Sequence, residues 1–332
     1  MRDAVGPTGR LGVIVPTGIA TDDTTKHFFA DCVTGKRLVS LFDFENREGV
    51  FAAVDSRMKF CLLTLTGRSR PIDEATFVFF AHQTADLSDD ERRFTLSPED
   101  LALINPNTKT APVFRPKRDA EITKAIYRRV PVLVRDDDPN GNPWGVEFST
   151  MFHMTNDSHL FRTADELSAE GATLIGNQWV RGDQRWLPLY ESKMCWFYEH
   201  RAADVITSAT ALVRQGQPET IPESERSNPQ RLAQPRGWVA DNEVLPRLLS
   251  SRSALLAWRK VTSPSNERSF IAMLLPATAV GDNLLLMHGD ATKLALLEAV
   301  LSTYVLDYVA RQKLGGINFQ QYIAKQLAVL DP

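Results

Sequence analysis

"LVSLFDFENREGVFAAVDSRMKFCLLTLTG" fills residues 38–67. Both ends are rich in leucine, aromatic and β-branched side chains, a composition that predicts strands over Leu38–Phe44 and Met58–Thr66. The loop between them is built of charged and small residues, yet it carries an apolar pair, Val50-Phe51, that neither strand can bury. Upstream, "LGVIVP" (11–16) is a short continuous apolar run closed by Pro16, the pattern expected of a strand buried on both faces. "DDTTKHFFADCVTG" (22–35) follows and reads as a helix, with Asp22 or Asp23 as N-cap and Gly35 as its stop. Residues 10–70 therefore alternate in an α/β manner.

The whole chain has 332 residues, 43% hydrophobic and 24% charged, which suggests two soluble globular domains. Its apolar runs fall far short of the roughly 18 residues that span a bilayer, so no membrane association is expected. "MRDAVGPTGRLGVIVP" at the N-terminus lacks an apolar h-region followed by a small-residue cleavage site. Three cysteines, Cys32, Cys61 and Cys195, lie far apart in apolar contexts and read as buried free thiols of a reducing cytoplasm. A net charge of -3 gives no global attraction to nucleic acid, so any such binding must come from local patches.

Residues 71–213 are mixed. "DAEITKAIYRRV" places apolar residues at 122, 125, 126 and 130, a helical spacing that Pro131 ends. A second helix is expected over 164–170, capped by Thr163. Residues 214–236, polar and punctuated by proline, read as a flexible loop. Residues 237–332 look like an α+β unit: "ALLAWRKV", "SFIAMLLPATAV" and "NLLLMHG" as strands, "ATKLALLEAVLSTYVLDYVARQKLGG" as one long amphipathic helix, and "NFQQYIAKQLAVLDP" as a short closing helix.

Several chemistries are disfavoured. None of the 18 glycines forms GxGxxG, GxxxxGK[ST] or an F-x-G-x-G turn, so no cofactor-cradling loop is legible. His153 and His159, six residues apart, are poorly spaced for a metal on one helical face, and no metal is expected. "DDDP" (136–139) reads as a solvated acidic turn, and "ESK" (191–193) is too short a match to imply a nuclease.

The order "LGVIVPTGIATDDTTKHFF … LVSLFDFENREGVFAAVDSRMKFCLLTLTG" resembles the closing third of the catalytic domain of gamma-class adenine-specific DNA methyltransferases, in particular the large Type II (type IIG and related phage-defence) restriction–modification enzymes. "INPNTKTAPVFRPKRDAEITKAIYRRVPVL" (104–133), "NPWGVEFSTMFHMTNDSHLFRT" (142–163) and "WLPLYESKMCWFYEHR" (186–201) resemble the region that joins catalytic and target-recognition domains in that family. "NERSFIAMLLP" (266–276) and "LDYVARQKLGGINFQQYIAKQLAVL" (306–330) resemble its target-recognition domain.

The resemblance implies an α/β fold: a partial class I methyltransferase sheet, its last strands in residues 1–70, followed by an α+β target-recognition domain reaching 332. The family binds S-adenosylmethionine on a Gly-rich turn and holds the adenine amine with an [NDS]PP[YFW] tetrapeptide. Neither is present; "NPN" (105–107) and "NPW" (142–144) do not match, so no catalytic residue is assigned and this chain is not expected to bind the cofactor alone. Double-stranded DNA is the implied partner, together with an N-terminal methyltransferase half or a restriction or defence protein. The alternative is a stand-alone DNA-binding or specificity subunit of such a complex.

The resemblance also gives the apolar loop a use. Methylating adenine in a duplex requires flipping the base out, and an aromatic face can hold it; Phe51 stands where the family places a stacking aromatic. The plain alternative is that Phe51 folds back as a hydrophobic plug. Arg57 and Lys59, just past that loop, are candidate phosphate contacts, as is the basic helix 115–129 with six basic and two acidic residues. Farther on, Lys193, His200 and Arg201 are candidate DNA contacts. Arg259, Lys260, Asn266 and Arg268 surround the polar loop "TSPSNERS" and suit base-edge reading. A solvated face or core packing is the bland reading for each.

Overall fold

The computed structural model describes residues 5–207, 216–248 and 254–332. The last positions of the 71–213 segment and the first two of the expected 214–236 loop lie outside the described residues. Two compact units are formed: Met1–Pro143 with Tyr308–Gly316 and Tyr322–Asp331, and Trp144–Asp307 with Ile317–Gln321 and Pro332.

The first unit is built on a five-stranded sheet of β1 (Arg10–Pro16), β2 (Leu38–Glu45), β3 (Lys59–Thr66), β4 (Ala75–Ala81) and β5 (Phe94–Leu96). Its spatial order is β1-β3-β2-β4-β5. β3 runs antiparallel to both neighbours, pairing Val13 with Leu63 on one side and Phe42 with Leu62 on the other. β2 and β4 are parallel, with Phe42 opposite Val78, and β5 returns antiparallel with Phe94 opposite Phe77. Both strands of the opening stretch form within a residue of their sequence bounds. β1 does not match its expectation, because it is an edge strand whose residues alternate between exposed and half-buried, and Ile14 is 57% exposed. A run of five apolar residues marks a strand but does not say how many of its faces are covered.

Between β1 and β2, helix Lys26–Thr34 buries Phe29, Cys32 and Val33 and ends at Gly35; the left-handed residue of the turn is the next one, Lys36, at φ 53°. Phe77, Phe79, Phe94 and Phe114 pack ring on ring in the core, with centroids 5.3–6.3 Å apart. Helix Pro98–Ile104 is set by a Ser97 capping box and by Pro98 in its first turn. The expected basic helix forms over Lys117–Tyr127.

In the second unit, Ala254–Arg259 lies between Ala272–Pro276 and Leu284–His288, with Glu147–Ser149 on the far side of the latter. A second sheet is ordered Trp238–Ala240, Gln184–Tyr190, Gln178–Arg181, Thr173–Ile175. Trp179, Trp186 and Trp238 cluster on it, and the Trp238 indole donates to the Asn177 carbonyl at 2.8 Å. Helix Ala164–Ala169 forms with the Thr163 cap.

Two expectations change here. The stretch read as one long helix is two, Ala291–Leu301 and Tyr304–Arg311. The Thr303 hydroxyl marks the break, donating to the Val300 carbonyl of the first helix and accepting from the Leu306 N–H of the second, where apolar periodicity alone predicts continuity. The polar stretch from 216 onward is structured: Gly216–Thr220 pairs with Ala203–Thr207, and Glu223–Arg226 forms a helical turn. Charged side chains hold it together with the buried Ile221 and Ala233. Arg231 clasps Asp204 and Glu225, and Arg236 pairs with Glu191 at 2.7 Å.

All three cysteines are buried free thiols. No helix among the described residues is long and apolar enough to cross a membrane.

Candidate functional site

In the first unit, the carboxyl ends of β1, β2 and β4 and the start of β3 meet at one end of the sheet. Asp43, 1% exposed near the end of β2, ties two of them together: its carboxylate accepts from the Thr17 hydroxyl just past β1 and from the Phe80 N–H in β4. Burial pushes the Asp43 carboxyl up from its ordinary pKa, against the pull of these two donors. Phe80 takes φ 57°, a left-handed conformation that is costly for a bulky side chain.

Cations collect on that Phe80 ring. The Lys59 ammonium lies 4.3 Å from its centroid and the Arg115 guanidinium 4.2 Å. Lys59 also donates to the Gly315 carbonyl at 2.9 Å and pairs with Glu45 at 3.2 Å. Burial alone would raise the Glu45 carboxyl, but the bond from Arg47 and the charge of Lys59 pull it down to about 2. His82 stands 3.4 Å from the same carboxylate.

The loop between β2 and β3 rises from this end. Asn46, 1% exposed, organises it: its amide donates to the carbonyls of Phe51 (2.9 Å) and Val54 (2.8 Å), and its side-chain oxygen accepts from the Phe51 N–H (2.9 Å). Gly49, at φ 67°, supplies the left-handed residue that closes the first turn of the loop. The result is a pinned loop that holds four apolar side chains out to solvent: Val50, Phe51, Val54 and Met58. Phe51, 38% exposed, rests edge-on against Phe60 at 4.9 Å, and Phe60 stacks on Phe44 at 5.2 Å. One side of the Phe51 ring is thus supported by an aromatic column while the residue stays accessible. Arg57 is exposed and forks onto Asp55.

In the second unit, the sequence-derived candidates fall into two groups. Lys193 donates to the Gly216 carbonyl, and Arg201 donates to the carbonyls of Arg226, Asn228 and Arg231, so both brace the polar stretch described above. His200 is half-buried beside Tyr190, and burial lowers its pKa. The other group surrounds the 263–268 loop. Lys260 reaches Asp282 at 3.4 Å, exposed Asn266 contacts the Thr262 hydroxyl at 3.5 Å, Arg259 faces Trp196, and Arg268 is buried between Phe197 and Tyr304.

Residues that the sequence reading did not single out include Asn46, Val54, Met58 and Phe80. An asparagine closing a strand just before a glycine-containing loop is the one signal that could have pointed to Asn46. Among the described residues no group of three or more His, Cys, Asp or Glu side chains is placed to hold a metal ion.

No protein-family model matches this chain, and no curated protein matches it. Solved structures do. The chain is similar to the type IIG restriction endonuclease BpuSI over 99% of its length, with 13% identity and a TM-score of 0.31, and covers 40% of that protein. It is similar to the Type IIL restriction-modification enzyme MmeI, solved in complex with DNA, over 90% of its length, with 11% identity and a TM-score of 0.43, and covers 35% of that protein. This sequence therefore spans two fifths or less of each, and likenesses this loose decide nothing about its chemistry.

Proposed function

We propose that this chain is the base-flipping and target-recognising C-terminal part of a site-specific DNA adenine-N6 methyltransferase of the Type II restriction–modification or phage-defence kind. The observation that carries the reading is the arrangement of β1, β2 and β3. β3 sits antiparallel between two mutually parallel strands, as the last strand of a class I methyltransferase sheet does, and the outer side of β1 has no partner strand among the described residues. The pinned loop with Phe51 rises at the carboxyl end of that sheet, where open α/β sheets bind ligands. An extruded adenine would stack on the face of Phe51, whose ring Phe60 braces edge-on, an interaction worth about 1–3 kcal/mol.

S-adenosylmethionine would supply the methyl group in the complete enzyme, but the residues here do not fit it. The end of β1 carries Gly18 alone and no Gly-rich turn, and the Thr17 hydroxyl there is engaged by Asp43. In this reading the cofactor seat and the [NDS]PP[YFW] motif belong to residues outside this sequence, on the same or another polypeptide.

The test pairs the purified chain with a methyltransferase N-terminal part carrying both motifs. The two are incubated with genomic DNA and labelled S-adenosylmethionine. Label on adenine N6 that needs both parts is expected. The reading fails if the two parts associate and bind DNA yet leave adenine unlabelled.

A further inference from the structure

In the second unit, a tight turn spans Trp196–Glu199 and is closed at both ends. The Trp196 N–H donates to the Glu199 carbonyl at 2.7 Å, and the Glu199 N–H returns to Trp196 at 3.0 Å. Tyr198 sits in it at φ 59°, where a bulky aromatic is strained. The turn leaves Trp196 38% and Tyr198 57% exposed, positions a fold seeking only burial would not choose for its two largest side chains. At the start of helix Tyr304–Arg311, Tyr304 is 81% exposed.

Arg268 joins these rings. Its guanidinium lies 4.0 Å from the Tyr304 centroid and 4.3 Å from that of Phe197, and Phe197 meets Tyr198 edge-on at 4.6 Å. The outcome is a ladder, Tyr304–Arg268–Phe197–Tyr198, with exposed rings at both ends. Arg259 faces Trp196 beside it at 5.5 Å. Asp307 fixes the loop that carries Arg268, accepting from the N–H groups of Ser269 and Phe270.

The arginines are incompletely satisfied. Arg268, 8% exposed, donates one amino group to the Ser302 carbonyl at 3.0 Å, while its Nη1 is buried without a hydrogen-bond partner. The Nε of Arg259 is in the same condition. A buried donor left unmade costs free energy, and one on a guanidinium costs most. Exposed aromatic faces alternating with guanidinium donors that lack an acceptor match a ligand made of flat π-systems and anionic oxygens. Nucleotides have that composition, and only unpaired ones present their base faces, since a duplex stacks them away.

We propose that this ladder binds unpaired nucleotides of single-stranded DNA, with bases on Tyr198 and Tyr304. Outward movement of the Tyr304 ring onto a base opens Arg268 Nη1 to a phosphate oxygen. The proposal rests on the reading that the chain binds DNA, and it assigns a second surface with a different strand preference.

The test titrates the full chain into a dye-labelled oligothymidylate of about a dozen nucleotides, a length typical of single-strand sites, and into a duplex of equal length. Tyr198→Gly removes the ring and relieves the left-handed backbone, so the variant melts no lower than wild type. Tyr304→Ala removes a ring that is largely exposed and touches Arg268 on one face, and Tyr198→Phe keeps one. Wild type and Tyr198→Phe are expected to bind the single strand. Tyr198→Gly and Tyr304→Ala should each weaken it by about 5- to 150-fold, the span for losing one stacked base, with duplex affinity unchanged. Duplex binding without single-strand binding, or single-strand binding that ignores both ring deletions, overturns the proposal and leaves the proposed function standing. That first outcome would mark the face as a protein contact. A chain that binds neither form of DNA overturns both.

Discussion

Asn46→Ala is the sharpest perturbation of the Phe51 loop. The side chain makes three hydrogen bonds, to the Phe51 carbonyl, the Val54 carbonyl and the Phe51 N–H, all at 2.8–2.9 Å. A hydrogen bond contributes about 0.5–1.5 kcal/mol net, so full loss of three would cost roughly 3 kcal/mol. The loop itself is solvent-facing, with residues 47–58 all exposed, so water takes over part of what the amide releases. The expected cost of opening the loop falls by about 1–2 kcal/mol, which is a factor of roughly 5–30 in the open population. Amide hydrogen exchange reads this directly. The Phe51 N–H should exchange faster by that factor, while amides in the centre of β3 such as Leu63 keep their wild-type rates. The reasoning is refuted if Phe51 exchange is unchanged, because the loop would then be held by something other than Asn46. It is refuted equally if protection falls throughout β3, because the loop would then be part of the global fold and not a separately pinned element.

Three further outcomes follow from the same unit. With 2-aminopurine as the target base in the reconstituted two-part enzyme, Phe51→Ala should raise its emission, since the quenching ring is gone; unchanged emission assigns Phe51 to the plug role. Glu45 has a folded pKa near 2 against an ordinary 4.5, so its stabilising contribution is present above about pH 4.5 and is lost as pH falls toward 2. The stability gap between wild type and Glu45→Gln should therefore narrow over that window in urea titrations, and a constant gap contradicts the assignment. A Cβ on Gly67 would lie 2.2 Å from the backbone oxygens of Gly6 and Pro7, whereas one on Gly12 meets nothing within 4 Å. Gly67→Ala should lose about 1–3 kcal/mol by overpacking and Gly12→Ala gain about 0.5–1 by entropy; the reverse order in urea midpoints would show the turn at Gly67 to be misplaced.

Much of the sheet was legible because local signals and tertiary context agreed. The strands at 38–45 and 59–66 are marked by composition and bounded by a charged loop, and the structure adds only which pairs with which. The sidedness of β1 was not legible, since "LGVIVP" reads the same at an edge as in the middle of a sheet. The break at Ser302-Thr303 was hidden because apolar spacing continues through it while the Thr303 hydroxyl acts on the backbone. At the candidate site, Phe51 was visible as an apolar residue out of place, but Asn46 was not, since its partners are loop atoms that arrive only when the chain folds back. Arg201 looked like a surface cation, and only the structure surrounds it with the carbonyls of Arg226, Asn228 and Arg231. Trp196 and Tyr198 read as core by composition. The turn at 196–199 sends them outward, and nothing in a run of four aromatic and charged residues announces a left-handed tyrosine.

The unpaired side of β1 bears on how the chain behaves by itself. A strand edge is a template for another strand unless charge, proline or shortness blunts it. β1 has seven residues, with Arg10 at its start and Pro16 at its end, and the five between them are uncharged. Ile14, 57% exposed, adds an apolar contact. In the proposed enzyme the preceding strand of the methyltransferase sheet covers this edge, so the chain without that strand should self-associate. Ile14→Lys should disperse the associated species at micromolar concentration in size-exclusion chromatography while leaving the thermal melt intact, because a solvent-facing residue loses little packing. Adding the cofactor-binding part should disperse wild type in the same way, and the two effects should not add, since both act on one edge. A wild-type chain that runs as a single monomeric peak and melts cooperatively would mean that the edge is already satisfied, and the partial-sheet reading would go with it.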